Sequence, residues 1–283
     1  MTSQQWLIIG QGDIGLPVTN RLAQHNLPVT GLARGERSHY GLDDKANFIQ
    51  ADALKLSTEQ LQDFTRIAII VTPDEHSTSG YNASYLAICQ HLASLADTLS
   101  NLERIIFISS TGVYGQDNGD WIDKNTVPVV PERGASKIIL QAEQALQQGF
   151  GDKAIIIRPS GIYGRERLMR LRKASESQKE PIAAMSWSNR IMDSDLVTII
   201  AKVLTIDTPK PTYIATDYAP VTIFELTKWL SQQVGATVPE IDTAKSAVTG
   251  KRLHSNIPLA WLTYPDWQVG YQDILQHQAT VSE

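Results

Sequence analysis

Two cations at the start of a predicted helix are the first sign of chemistry in this chain. Arg133 and Lys137 lie four residues apart in PERGASKIILQAEQAL (131–146), whose apolar residues recur at helical spacing. Like charges at that spacing repel, and a helix N-terminus already carries partial positive charge, so the pair costs roughly 0.5–1 kcal/mol before screening. An anion bound between the two side chains would relieve this repulsion.

A glycine pattern near the N-terminus is the second candidate site. GQGDIG places Gly10, Gly12 and Gly15 between a strand-like run and a predicted helix, the context in which this pattern binds a dinucleotide. Gly10 would allow a tight turn, Gly12 would let the backbone approach a pyrophosphate, and Gly15 would let helix and strand pack closely. We expect the amides of this turn, including those of Asp13 and Ile14, to face the phosphates.

The end of the second predicted strand bears on the choice of cofactor. In TGLARGERS, Ala33 stands where an acid would bind ribose hydroxyls, and Arg34 follows it, so the sequence favours NADP over NAD. Arg37 would assist, whereas Glu36 is a displaced acid that could still reach a ribose. Asp52, after the third predicted strand, would either bind near the adenine or cap the next helix.

Short apolar runs alternate with helix-length segments along most of the chain. The runs are rich in Ile and Val without polar alternation, which is typical of strands buried on both faces. The predicted strands are 6–10, 28–33, 47–51, 67–71, 104–109, 154–158 and 212–216, and the predicted helices are 13–25, 56–64, 78–98, 133–148 and 192–205. This alternation predicts an α/β fold, a doubly wound parallel sheet with helices on both faces.

The alternation of apolar runs and helix-length segments becomes less regular after residue 158, which indicates a second structural unit. We expect a dinucleotide-binding domain over 1–160, with a return of the chain at about 189–216. A smaller C-terminal substrate-binding lobe would comprise 161–188 and 217–283. We expect a loop or exposed helix at 164–181, and a mix of short helices and turns from 217 onwards.

Composition narrows the class of protein. With 25 basic and 30 acidic residues, the net charge of −5 argues against a nucleic-acid or membrane-surface binder. No apolar run approaches the ~18 residues that span a bilayer, and the N-terminus lacks the basic region of a signal peptide. The single cysteine, Cys89, excludes an intrachain disulfide, favours a cytoplasmic protein and is expected to be a core residue. Neither histidines nor carboxylates show metal-ligand spacing, so we predict no metal.

Four motifs in order resemble the extended short-chain dehydrogenase/reductase family of NAD(P)-dependent nucleotide-sugar epimerases, dehydratases and related reductases. They are GQGDIG (10–15), SSTGVYG (109–115), RPSGIYG (158–164) and NRIMDSDL (189–196). The resemblance covers residues 6 to about 216 and implies a Rossmann-type fold and a homodimer. It also implies that Pro159 to Ile162 lie against the nicotinamide. We further expect Ala53 and Thr72 to contact the cofactor, and Asp195 to cap a helix.

The resemblance also implies a catalytic set. Its members use a serine, a tyrosine and a lysine four residues after the tyrosine. The ammonium lowers the pKa of the phenol, the lysine hydrogen-bonds the nicotinamide ribose, and the serine orients the substrate oxygen. Ser110 and Lys137 match the serine and the lysine. Arg133 stands at the tyrosine position, and a guanidinium cannot act as the usual acid or base.

Three interpretations of this departure stay open. In the first, another residue supplies the proton, with Tyr114, Tyr163 and Tyr81 as candidates. In the second, Arg133 polarises a substrate carbonyl while water gives the proton. In the third, the protein binds the nucleotide as a redox sensor without catalysis. We expect an NAD(P)-dependent oxidoreductase or epimerase/dehydratase-like enzyme acting on a small polar or nucleotide-sugar-type substrate. A methyltransferase would also place a glycine-rich turn after the first strand, but SSTGVYG and Lys137 argue against it.

Overall fold

The computed structural model describes residues 5–35, 40–176 and 180–281. Most of its strands are short and buried. They are β1 (Gln5–Ile9), β2 (Val29–Ala33), β3 (Asn47–Gln50), β4 (Phe64–Ile69), β5 (Arg104–Ile108), β6 (Trp121–Ile122), β7 (Ala154–Pro159), β8 (Gly161–Tyr163), β9 (Trp187–Ser188), β10 (Arg190–Met192), β11 (Thr212–Ala215), β12 (Val221–Thr222) and β13 (Arg252–Leu253).

The main sheet has seven parallel strands in the order β11-β7-β5-β4-β1-β2-β3. All seven runs that the sequence predicts to be strands lie in it, and the predicted doubly wound α/β fold is confirmed. The chain winds outward from β1 to β3, then from β4 to β11, so its direction of winding reverses between β1 and β4. Ligands of open α/β sheets bind beyond the carboxyl ends of the strands at such a point.

Helices connect the strands and flank the sheet. They are α1 (Gly15–Gln24), α2 (Thr58–Leu61), α3 (Thr78–Tyr81), α4 (Ala87–Ser94), α5 (Gly134–Phe150), α6 (Met169–Ser175), α7 (Asp193–Thr205), α8 (Ile223–Gln233) and α9 (Trp267–Val281). The single helix predicted over 78–98 is instead α3, a π-helical segment at Asn82–Leu86, and α4. Among the described residues, no helix combines the length and apolar character needed to cross a bilayer.

Apolar residues of the strands form a core between the helical layers. Leu7, Ile67 and Ile106, on three neighbouring strands, are completely buried. Cys89 of α4 is also completely buried, which confirms its prediction as a core residue, and burial raises the pKa of its thiol. The helices α4 and α5 pack closely, because a Cβ on Gly149 would lie 2.8 Å from the Cβ of Ala93.

The chain divides into two compact units. The first comprises Met1–Val113, Val130–Arg158 and Leu196–Tyr213; the second comprises Tyr114–Val129, Pro159–Asp195 and Ile214–Glu283. The assignment of a dinucleotide-binding domain and a substrate lobe to particular residue ranges stays a prediction.

The second unit has an apolar core of its own. Tyr163 and Tyr271 stack in it with ring centroids 4.5 Å apart, and Leu226 and Leu230 of α8 pack in the same cluster. The prediction of only short helices after residue 217 is wrong, since α8 has 11 residues and α9 has 15. In the polar segment 164–181, α6 is the helix, and residues 177–179 lie outside the described part of the chain.

Candidate functional site

The glycine turn follows β1, next to the point at which the winding of the chain through the sheet reverses. Gly10 has φ of +98°, a backbone conformation that L side chains rarely adopt, and a Cβ there would lie 2.0 Å from the carbonyl oxygen of Ile70. A Cβ on Gly15 would lie 1.9 Å from the carbonyl oxygen of Gly10, so strand and helix meet at that glycine. Gly12 differs, because among the described residues no atom beyond its chain neighbours lies within 4 Å of where its Cβ would be. Two glycines therefore serve packing, and the third leaves open space.

The start of α1 fits a phosphate group. Its N-cap residue, Ile14, offers no side-chain hydrogen bond to the first turn. Amides at an uncapped helix start are suited to an anion. Asp13 and Gly12 are exposed on the same turn. The residues present thus fit the pyrophosphate of a dinucleotide, with open space at Gly12 and helix amides beside it.

Replacement of Gly12 by valine is expected to weaken dinucleotide binding by at least ~10-fold, because its side chain would fill the space by which a pyrophosphate approaches the backbone. The free energy of unfolding should change by less than about 1 kcal/mol, since nothing lies near the new side chain. Calorimetric titration and urea unfolding measure the two quantities. As a contrast, Gly15→Ala should destabilise by about 1–3 kcal/mol through its clash with Gly10. Unchanged affinity of Gly12→Val would contradict the phosphate assignment.

The end of β2 presents an arginine that is already paired. Arg34 Nη2 donates to Asp74 Oδ1 at 2.6 Å, and both side chains are exposed, by 62% and 72%. The hydrogen bond and charge of Asp74 raise the pKa of Arg34, and those of Arg34 lower the pKa of Asp74. The sequence did not identify Asp74. Arg37 and Glu36, which were predicted to bear on cofactor choice, lie outside the described residues.

The ends of β3 and β4 contribute the remaining residues predicted to bind the adenosine half. Asp52 accepts a hydrogen bond at 3.0 Å from the amide of Leu54 and so caps a short 3-10 helix, one of the two roles considered for it. Ala53 is buried beside it, and Thr72 is exposed just beyond β4. All follow the carboxyl ends of their strands, as the glycine turn and Arg34 do.

Ser110 lies in the tight turn that follows β5. Its hydroxyl accepts a hydrogen bond from the amide of Gly112 at 3.0 Å. A Cβ on Gly112 would lie 3.2 Å from Ser110 Oγ and 3.0 Å from Ser136 Oγ, so both hydroxyls flank this glycine. Ser136 belongs to the first turn of α5. The close approach at Gly112 therefore places Ser110 next to the start of the helix that carries Lys137.

Arg133 and Lys137 mark the start of α5 as the sequence predicted. Arg133 is the N-cap residue, and its carbonyl accepts the amide of Lys137 at 3.1 Å. Both side chains are exposed, and within the described residues neither makes a hydrogen bond or an ion pair. Two cations without acidic partners thus lie at the positive end of a helix of 17 residues, next to the Ser110 turn. This arrangement favours an anionic ligand.

A buried ionic network supports the serine turn from within the first unit. Ser109, the residue before Ser110, donates a hydrogen bond to Glu143 Oε1. Arg158 donates to both carboxylate oxygens of Glu143, at 2.9 Å from Nε and 2.6 Å from Nη2. All three partners are less than a tenth exposed. The network ties β5, α5 and β7 together directly behind the candidate serine.

The tyrosines considered as proton donors differ in environment. Tyr81 is half-buried and stacks on Tyr85 at 5.5 Å between ring centroids, and burial raises the pKa of Tyr85 to about 12. Tyr114, in the second unit, is 1% exposed, and Lys251 Nζ donates to its carbonyl. Tyr163 is also buried, which raises its pKa. Of these, Tyr81 is the most accessible and lies in the first unit.

The other predicted residues of the second unit have structural partners there. Pro159 ends β7, and Ile162 pairs with Ile191 in the parallel β8–β10 ladder. Asp195 lies inside α7, where its carboxylate accepts the amides of Thr263 and Tyr264, each at 2.9 Å. The predicted helix cap is therefore wrong for Asp195, which instead anchors a loop.

Asp217 is a buried carboxyl that sequence reasoning missed. It is 1% exposed; Oδ1 accepts from the amide of Ala219 at 3.2 Å, and Oδ2 has no hydrogen-bond partner among the described atoms. Burial raises its pKa to about 8, repulsion from Asp266 adds to the shift, and Arg190 opposes it. The described residues hold no group of three or more His, Cys, Asp or Glu side chains arranged to bind a metal ion.

Comparison with known families defines the class of protein. The sequence profile of the NAD-dependent epimerase/dehydratase family matches residues 6–189. The chain belongs to the NAD-dependent epimerase/dehydratase family.

The chain is also similar to several individual proteins. A Methylobacillus flagellatus structure provisionally assigned as an NAD-dependent epimerase/dehydratase is 29% identical, with a TM-score of 0.78 over 99% of this chain and 100% of that one. UDP-glucuronic acid 4-epimerase from Bacillus cereus, solved with NAD, shares the fold, with a TM-score of 0.74 at 16% identity over 96% of this chain and 99% of that one. Protein YeeZ of Escherichia coli K12 is 26% identical over 165 residues, 56% of this chain and 58% of YeeZ. The chain thus matches less than two thirds of that curated relative.

Proposed function

We propose that this chain is an NADP-preferring oxidoreductase or epimerase/dehydratase-like enzyme that acts on a small polar, anionic or nucleotide-sugar-type substrate. One observation carries the proposal: in the first unit, the Ser110 turn packs through Gly112 against the start of α5. That start carries Arg133 and Lys137, whose exposed side chains have no hydrogen-bond or ion-pair partner among the described residues. Membership of an NAD-dependent family supports it.

Different residues would bind different parts of the dinucleotide. The amides from Gly12 to Gly15 would bind the pyrophosphate, and Arg34 would bind a 2′-phosphate. Asp52, Ala53 and Thr72 would contact the adenosine half. Pro159 and Ile162 stay predicted contacts of the nicotinamide.

The catalytic roles follow from charge and protonation. A bound nicotinamide supplies a site that accepts or delivers hydride at C4. Lys137 would hydrogen-bond the adjoining ribose, and the Ser110 hydroxyl would orient the substrate oxygen. Arg133 would bind an anionic group of the substrate; because its guanidinium stays protonated, it positions and polarises but does not transfer a proton. Tyr81, the most accessible of the three candidate tyrosines, or water would supply that proton.

Substrate-dependent consumption of NADPH tests the enzyme assignment. A panel of carbonyl compounds and sugar nucleotides should contain at least one substrate, once calorimetry has shown that NADP binds. Binding without turnover across the panel would overturn the assignment. A tighter dissociation constant for NAD than for NADP would overturn the cofactor preference.

Replacement of Lys137 by methionine is expected to weaken NADP binding by about 10-fold or more, because a charge-assisted hydrogen bond to the ribose is lost. Turnover should fall further, since the same ammonium acts at the reacting centre. Lys202→Met, at an exposed position of α7, is the matched control and should leave both quantities unchanged. Equal affinities for Lys137→Met and wild type, measured by calorimetry, would remove Lys137 from the site.

A second candidate function is a nucleotide-binding redox sensor without catalysis. Arg133 at the position of the family's tyrosine favours it, as does the burial of Tyr114. A sensor predicts that a protein partner binds the oxidised and reduced forms with different affinities. Equal affinities would count against it.

Some assignments from the sequence stay predictions. They are the two domain ranges, the homodimer and the cytoplasmic location.

A further inference from the structure

The ion pair between Arg34 and Asp74 joins the ends of two strands on opposite sides of β1. Arg34 follows β2 and Asp74 follows β4, 40 residues later, and their side chains meet at 2.6 Å. The backbone of Arg34 is held independently, because its carbonyl accepts a hydrogen bond from Gln50 Nε2 at 3.3 Å. Asp52 also attracts the Arg34 guanidinium. The arginine thus lies among acidic groups before any ligand arrives.

The pair is suited to exchange its anion. Exposed ion pairs are weak, since water screens the attraction and two long side chains lose freedom in forming them. Arg34 and Asp74 are both mostly exposed. A phosphate monoester carries between one and two negative charges at neutral pH and offers three acceptor oxygens, so it can replace a single carboxylate on a guanidinium. The carboxylate it displaces then remains close and repels it.

We propose that Asp74 sets the nucleotide selectivity of this chain by competing with a 2′-phosphate for Arg34. The inference rests on the proposed use of Arg34 as the 2′-phosphate ligand. NAD brings no phosphate to this position and leaves the ion pair intact. NADP must open it, so the chain discriminates less strongly in favour of NADP than an unpaired arginine would.

Asp74→Asn tests this inference by removing the charge while keeping the shape. Calorimetric titration at 0.15 M salt should show NADP binding tightened by about 3–10-fold, the range expected for releasing an exposed ion pair and its repulsion. NAD binding should change by less than about twofold. Asp97→Asn is the matched control: Asp97 is exposed, carries the same charge, and precedes the start of β5, whereas Asp74 follows the end of β4. Equal NADP affinities for Asp74→Asn and Asp97→Asn would overturn the inference.

Arg34→Met separates this inference from the proposed function. If it weakens NADP binding and spares NAD binding, Arg34 is the phosphate ligand; if it leaves NADP binding unchanged, the proposed cofactor preference itself fails. The double variant Arg34→Met/Asp74→Asn then measures coupling. We expect the tightening caused by Asp74→Asn to be clearly smaller without Arg34. The same tightening in both backgrounds would overturn competition for Arg34 while leaving the phosphate ligand in place.

Discussion

Replacement of Glu143 by alanine is expected to lower the free energy of unfolding by about 3–5 kcal/mol. Glu143 is 1% exposed, and its carboxylate is the acceptor for both Arg158 and Ser109. Its removal leaves the buried Arg158 guanidinium without the carboxylate that neutralises it, and it also leaves a cavity. Denaturant unfolding followed by circular dichroism measures the loss.

Two control variants separate charge from packing. Glu143→Met combined with Arg158→Met replaces the ion pair by apolar side chains and should recover most of the loss, because neither charge then remains buried. Glu103→Ala removes an exposed acid that pairs with Arg66 at 3.5 Å and should cost less than about 1 kcal/mol. A loss below about 1 kcal/mol for Glu143→Ala would show that the network contributes little to stability.

Replacement of Asp217 by asparagine is expected to stabilise the protein at alkaline pH. The pKa of Asp217 is about 8 in the folded chain and near the ordinary value of 3.8 in the unfolded chain. The folded state therefore holds a proton that the unfolded state has lost between these values. The contribution of this group to stability is full below about pH 4 and is lost as pH rises through about 8. Asparagine stays neutral, so it avoids this loss.

The difference in unfolding free energy between Asp217→Asn and wild type should thus grow from pH 5 to pH 8 and then level off. Its upper limit is roughly 5 kcal/mol, at 1.36 kcal/mol for each unit of pKa shift. Urea unfolding across pH 5–9 measures it. Asp207→Asn, at an exposed position in the loop after α7, is the matched control. Parallel curves for Asp217→Asn and wild type would mean that Asp217 is ionised in the folded protein.

The sheet could be predicted because each of its strands is recognisable from the apolar character of its own consecutive residues. The runs around Ile67, Ile106 and Ile156 are almost wholly apolar, which is typical of strands buried on both faces. Gly10 was likewise predicted to allow a tight turn, and it has φ of +98°. Gly15 was predicted to let strand and helix pack closely, and a Cβ there would lie 1.9 Å from the carbonyl oxygen of Gly10. These features depend on a few consecutive residues.

The second unit was harder to predict because distant contacts decide its local structure. The helix α9 contains an internal glycine, Gly270, which weakens a helical prediction. Yet a Cβ on Gly270 would lie 2.0 Å from the hydroxyl oxygen of Tyr163, so the glycine is there for packing. Its apolar residues Trp267, Tyr271 and Ile274 do recur at helical spacing and were the available signal.

The residues of the candidate site could be predicted where they belong to a sequence motif. They could not be predicted where their role depends on an ion pair with a residue distant in the sequence. Arg133, Lys137 and Ser110 were identified from spacing and resemblance. Asp74 was missed because its partner, Arg34, lies 40 residues earlier in the chain. A lone acidic residue in a loop normally indicates only a solvent-exposed side chain. Glu143 was missed for a similar reason, although the arginine that ends the apolar run before Pro159 needed a counter-ion.

The position of β11 in the sheet has a consequence for synthesis of the chain. It covers the outer side of β7, and the amide of Ile156 donates to the carbonyl of Pro211 at 3.0 Å. More than fifty residues separate β7 from β11, so a growing chain exposes the isoleucine-rich edge of β7 until that distant segment leaves the ribosome. An uncovered edge of this kind templates pairing with other chains. We therefore expect the nascent protein to be prone to aggregation, and dependent on chaperones, during that interval.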